Sequence, residues 1–170
     1  MKSLAGRFAK LAAVVCLGAA SLGAGALELR GFRGIAWGDG ADTLGSAALA
    51  HADGDVACFK REHENMLFGD SPLNEVRYCF HQDHLFMVTL DSAVSLKALI
   101  SEFQRAYGPP VARLPHAASW GSAASSARAE LVSLPTGGSP SRLTIYSNRF
   151  APQWAKSGRA DTSHRVSAAL

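Results

Sequence analysis

The sequence predicts an α+β fold of two layers, an antiparallel sheet with two helices on one face. Three observations lead there. Val76, Tyr78 and Phe80 alternate with Glu75, Arg77, Cys79 and His81, and a second apolar run, residues 85–90, follows the HQDH turn. Residues 74–91 therefore read as a β-hairpin with one face meant for a core. Leu96, Leu99, Ile100, Phe103 and Tyr107 fall on one stripe of a 3.6-residue period, the mark of an amphipathic helix. Strand-like runs around Trp120, at 129–134 and at 142–147 then repeat the order of elements, giving helix-then-three-strands twice.

The chain opens on an expected export signal. Lys2, Arg7 and Lys10 precede an apolar run at 11–22, and Ala24-Gly25-Ala26 supplies a small-x-small cleavage site. The run is short for a membrane span, and Val15 before Cys16 does not suit a lipid-attachment site. Cleavage after residue 26 predicts a periplasmic protein, with a single domain over 27–150 and a flexible polar tail over 151–170. Of 17 Lys and Arg residues three lie in the signal, which leaves 14 against 14 Asp and Glu. A neutral chain without a basic, aromatic-studded stripe argues against a nucleic-acid partner. No later segment is expected to span a membrane.

Residues 27–37 predict a short strand or an extended arm, anchored by Leu29, Phe32, Ile35 and Trp37. Asp39 or Asp42 would cap a helix over Thr43–Ala50, with Leu44, Ala48 and Leu49 facing inward. Residues 55–62 read as a strand with Ala57 and Phe59 on one face and Val56, Cys58 and Lys60 on the other. A long connection, MLFGDSPL, leads to the hairpin. The main helix starts at a Ser92 or Ser95 cap and ends at Gly108, where Pro109-Pro110 forbids continuation.

Candidate chemistry is sparse. Antiparallel pairing of 55–62 with 75–81 sets Cys58 opposite Cys79, and the same register brings Phe59 and Ala57 against Tyr78 and Phe80. A structural disulfide, free buried thiols and a redox pair are the three readings; the last lacks a C-x-x-C. His63, His81 and His84 could meet at one sheet edge as metal ligands, although histidines in turns are commonly just solvated. There is no G-x-S-x-G elbow, S-x-x-K or P-loop, and no cofactor is implied. Trp37, Trp120 and Trp154 could line a groove, with burial as anchors the competing reading for the first two. A three-residue loop, Gln82–His84, would put Phe86, Val88 and Leu90 in the core and leave Leu85 and Met87 on the Cys79 face beside Arg77. That face is too apolar for solvent and is the expected binding surface, covered by a partner, a second subunit or the 27–37 arm.

The order F-R-G-I-x-W-G (Phe32–Gly38), Y-C-F (Tyr78–Phe80), Y-G-P-P (Tyr107–Pro110) and L-T-I-Y-S (Leu143–Ser147) resembles exported Gram-negative proteins that open on a FRGIPWG-like motif. More distantly it is similar to SmpA/OmlA-type envelope modules and β-lactamase-inhibitor-type folds. The resemblance implies a non-catalytic binding protein and transfers no catalytic residue. The expectation is an exported binding module, leaning away from an enzyme, with an envelope protein or a second copy as partner. The alternative is a small periplasmic hydrolase or ligand-binding domain with a Trp- and His-lined cleft.

Overall fold

The computed structural model describes residues 29–132 and 140–156. The expected signal, most of the expected tail, most of the PTGGSPS turn and the side chain of Trp154 lie outside them. The described chain is mostly β. A small hairpin of β1 (Gly31–Phe32) and β2 (Ile35–Ala36) leads to a 3₁₀ turn, Ala41–Leu44, then β3 (Ala47–Asp53) and β4 (Val56–Arg61). A second small hairpin, β5 (Leu67–Phe68) and β6 (Ser71–Pro72), precedes β7 (Glu75–His81) and β8 (His84–Ser92). Helix α1 (Leu96–Tyr107) follows, then β9 (Ala112–Leu114), β10 (Ala117–Gly121), β11 (Ser125–Leu131) and β12 (Ser141–Ser147), and a single helical turn, Gln153–Lys156.

Eight strands form one antiparallel sheet in the order β3-β4-β7-β8-β12-β11-β10-β9. It is two four-strand meanders joined back to back where β8 pairs with β12, with α1 as the connection between them. The expected two-layer fold with two helices and a repeated helix-then-three-strands unit is thus overturned. The first helix fails for a local reason. Gly45 sits at φ +68°, a left-handed value that stops helical winding, and Gly40 at the N-cap has no side chain to cap with. Asp39 accepts from Ala36 N instead, and residues 47–53 pair with β4. Leu44 does point inward, but Leu49 is exposed. No described helix is long and apolar enough to cross a membrane.

One sheet face carries the main core. Helix α1 lies on it through Leu96, Leu99, Ile100 and Phe103; Ser95 caps its start by accepting from Ala98 N, and Gly108 ends it. Phe103 packs against Tyr107 and Trp120 with ring centroids 4.6 Å from each, and Trp120 Nε1 donates to Gly108 O at 2.9 Å. Burying each large side chain here contributes about 1.5–3 kcal/mol. The arm covers the other half of that face, and its motif residues each have a packing task. Phe32 and Ile35 enter the core, Arg33 and Gly34 form the left-handed hairpin turn, and the ring of Phe150 fills the space where Gly38 lacks a Cβ. Arg33 clasps the next loop through Glu64 Oε1 at 2.6 Å and the carbonyls of Asn65 and Leu67, both at 2.5 Å. Glu64 Oε2 in turn accepts from the buried Tyr78 hydroxyl at 2.7 Å.

The β7–β8 register differs from expectation in an instructive way. The turn has two residues, Gln82 and Asp83, both at positive φ (51° and 62°), which is the twist a tight hairpin favours. His81 therefore pairs with His84, while Cys79 still pairs with Met87, and Phe86 is the extra residue of a bulge between them. The bulge turns Leu85 into the main core against Phe80 and sends Phe86 to the Cys79 face, the reverse of the expected placement. Cys58 stands opposite Cys79 as expected, and their sulfurs are bonded at 2.06 Å. Ala151 and Ala155 cover this disulfide together with Phe86 and Met87, so the chain's own C-terminal segment packs where a partner or the arm was expected.

Two outcomes follow for stability. Reduction, or the Cys58→Ala/Cys79→Ala pair, should lower unfolding free energy by about 3 kcal/mol, read from urea melts, because the bond closes a loop of 21-residue separation. Burial first, and then the hydrogen bond to Glu64, raise the Tyr78 pKa above its ordinary 10.0. The folded chain holds the phenol neutral while the unfolded chain ionises it, so this stabilisation is complete below pH 10.0 and is lost as pH rises further. Urea midpoints taken from about pH 8 to about pH 11 should fall on the alkaline side, and Tyr78→Phe should flatten that fall.

Candidate functional site

The second face of the sheet is where polar residues gather in register. On β8 the outward positions are Met87, Thr89 and Asp91, and on β12 they are Arg142, Thr144 and Tyr146. Antiparallel pairing sets Thr89 against Thr144 and Asp91 against Arg142, with Leu90 and Leu143 between them turned to the core. Three cross-strand rows result. Tyr146, Met87, Cys79 and Cys58 form an apolar row, the part covered by the C-terminal segment. The next row reads Arg128, Thr144, Thr89, Arg77, the same from either end because the two meanders meet head to head. The third reads Glu130, Arg142, Asp91, Glu75.

Charge is distributed unevenly with depth. Arg142 and Asp91 are both buried and form a fork-to-fork pair, Nε to Oδ1 at 2.6 Å and Nη2 to Oδ2 at 2.7 Å. Burial alone would lower the Arg142 pKa, but the Asp91 carboxylate and its hydrogen bonds outweigh it, and the pKa is raised. Arg77 reaches Asp91 Oδ2 at 3.4 Å, and its Nε lies 2.6 Å from Glu75 Oε1 yet makes no hydrogen bond, so that contact is an ion pair off the N–H line. Lys60 pairs with Glu75 at 2.5 Å and Arg128 with Glu130 at 2.7 Å. The outermost groups are cations: the side chains of Lys60 and Arg128 are each 49 % exposed, against 28 % for Glu75 and 29 % for Glu130. Between them Thr89 is 4 % exposed, and its hydroxyl has no hydrogen-bond partner among the described residues.

This arrangement positions charges in fixed cross-strand pairs. Each carboxylate of the ladder is engaged by a guanidinium or ammonium group. Of the residues expected to matter, Arg77 lies in the ladder, Met87 is buried in the apolar row and Leu85 is in the main core. The histidines separate. His81 and His84 pair across the turn, with His84 Nδ1 2.9 Å from Gly38 O. His63 follows the far end of β4, whose start at Val56 pairs with His81, so it lies roughly 20 Å away along the strand. Among the described residues no group of three or more His, Cys, Asp or Glu could hold a metal ion. Trp120 is buried, and no histidine is among the described residues that line the cleft beside Trp37.

Asp91, Thr89, Arg142, Thr144 and Arg128 were not singled out by the sequence pattern, whose second apolar run ends at Leu90. A signal was present. Thr89-Leu90-Asp91 and Arg142-Leu143-Thr144 are complementary triplets once run antiparallel, Thr to Thr, Leu to Leu and Asp to Arg.

Because the Asp91–Arg142 pair is buried, removing one partner strands the other charge. Asp91→Ala and Arg142→Ala should each cost about 3–5 kcal/mol in urea melts, while the paired change Asp91→Val/Arg142→Leu should cost far less than their sum. The chain matches no family model, no curated protein and no solved structure.

Proposed function

We propose that the chain is an exported, non-enzymatic binding module of the periplasm, and that the polar rows of its second sheet face engage an acidic segment of an envelope protein. The observation that carries the reading is the depth order of charge on that face. Lys60 and Arg128 stand outermost and the carboxylates lie behind them, so an approaching surface meets cations first. The internal ion pairs hold the guanidinium groups in place before any partner arrives, which reduces the ordering cost of binding. The Cys58–Cys79 bond supports an oxidising compartment, in keeping with the export signal expected over 1–26. Kinship with the exported FRGIxWG proteins belongs to the same proposal; in this chain those motif residues serve the arm and its clasp, away from the polar rows.

A photo-crosslinking residue at Ser119, which neighbours Arg128 in the same row, tests this in intact envelopes. The expected result is an adduct whose contacted segment is rich in Asp and Glu, and whose yield falls with salt and with Lys60→Glu/Arg128→Glu. Adducts indifferent to that charge reversal, or formed only with a second copy of the chain, would overturn the proposal.

A further inference from the structure

A second site lies at the end of the sheet away from the charged ladder. The arm, the β10–β11 turn and the end of β12 enclose an open cleft of about 490 Å³, a size ordinary for small-molecule sites. Its walls are mainly apolar, from Leu29, Trp37, Ala124 and Phe150, and two arginines, Arg30 and Arg149, also line it.

The cleft is preformed. Trp37 Nε1 donates to Leu29 O at 2.7 Å, and Trp37 N donates to Arg30 O at 3.0 Å, so this part of the arm is fixed to itself. Leu29 N donates to Ser125 Oγ at 3.2 Å, which ties the arm to β11. Asn148 braces the opposite wall: its Nδ2 donates to Ser122 O at 2.8 Å, its backbone N donates to Ala124 O at 3.0 Å, and its Oδ1 accepts from Ser126 Oγ at 3.0 Å. Since the one indole donor of Trp37 is already engaged, the ring offers a ligand only its apolar surface.

Charge then selects the ligand. Both arginines are exposed, and neither forms an ion pair among the described residues, whereas Arg33, Arg77, Arg105, Arg128 and Arg142 all do. Arg149 instead lies over the Phe150 ring, 5.1 Å from its centroid, at the apolar wall. Two guanidinium groups without an ion pair among the described residues, on an apolar cleft, favour a molecule with one negative end and a flat or linear hydrocarbon body. We propose that this cleft binds a small organic anion of that class, an aromatic or medium-chain carboxylate or sulfonate. The site is independent of the polar sheet rows.

The test uses protein purified from cells expressing the full chain. Octanoate is titrated by calorimetry, with octanol and octylammonium as neutral and cationic counterparts, and 8-anilinonaphthalene-1-sulfonate serves as the fluorescent anion to be displaced. The expected result is saturable one-to-one binding of octanoate, displacement of the dye, and affinity for the neutral and cationic chains weaker by about tenfold or more. Arg30→Gln/Arg149→Gln should weaken octanoate by about tenfold with unchanged melting, since both side chains are exposed. Ala124→Phe, which fills the cleft and keeps both charges, should abolish binding. Equal affinity for octanoate and octanol, octanoate binding untouched by either variant, or no saturable binding to the folded parent would each overturn the proposal.

Discussion

Everything in this fold hangs on the pairing of β8 with β12. Each meander alone is a four-strand sheet with an unpaired inner edge, and each would leave half of the apolar face open. Joining the edges places Leu90 beside Leu143 and Val88 beside Ile145, which makes the core continuous beneath α1 and the arm. The same pairing puts Asp91 beside Arg142, a contact between residues 51 apart in sequence. A slip of one residue would turn those leucines outward and separate the buried charges, so apolar and ionic preferences select one register.

That register organises both sites. Because the meanders meet head to head, the seam generates the row of two threonines flanked by two arginines, with an ion-paired row beside it. The row on the other side is apolar and is closed by the disulfide and the C-terminal segment. The second face is thus divided between a part the chain buries for itself and a part that presents charge. The cleft beside Trp37 depends on the same scaffold, since the turn that follows β12 supplies Arg149 and Phe150.

Local physics made much of the fold legible from sequence. The 3.6-residue stripe of α1, its Ser95 cap and the Gly108 stop were all readable, as was the cross-strand setting of Cys58 and Cys79. Alternation in 75–81 also assigned Tyr78 and Phe80 to the core correctly. What failed was decided by partners distant in sequence or by conformations a residue only tolerates. Residues 47–50 are alanine-rich and helix-prone, yet β4 recruits them into an edge strand. Gln82 and Asp83 adopt positive φ without a glycine to announce it, so the turn is one residue tighter than the pattern suggests and Phe86 becomes a bulge. The polar rows were hidden because their meaning arises only when two strands from opposite halves are laid side by side.

The placement of the disulfide bears on the order in which the molecule can be assembled. Its cysteines both lie in the first meander, 21 residues apart, while the seam must wait for β12, the last strand of the sheet. Under oxidising conditions β4 can therefore be locked to β7 covalently before the second half has joined the sheet. Short-range closure is fast and costs little chain entropy. The first meander then offers β8 as a ready template, and the later strands dock onto an edge whose alignment is already set.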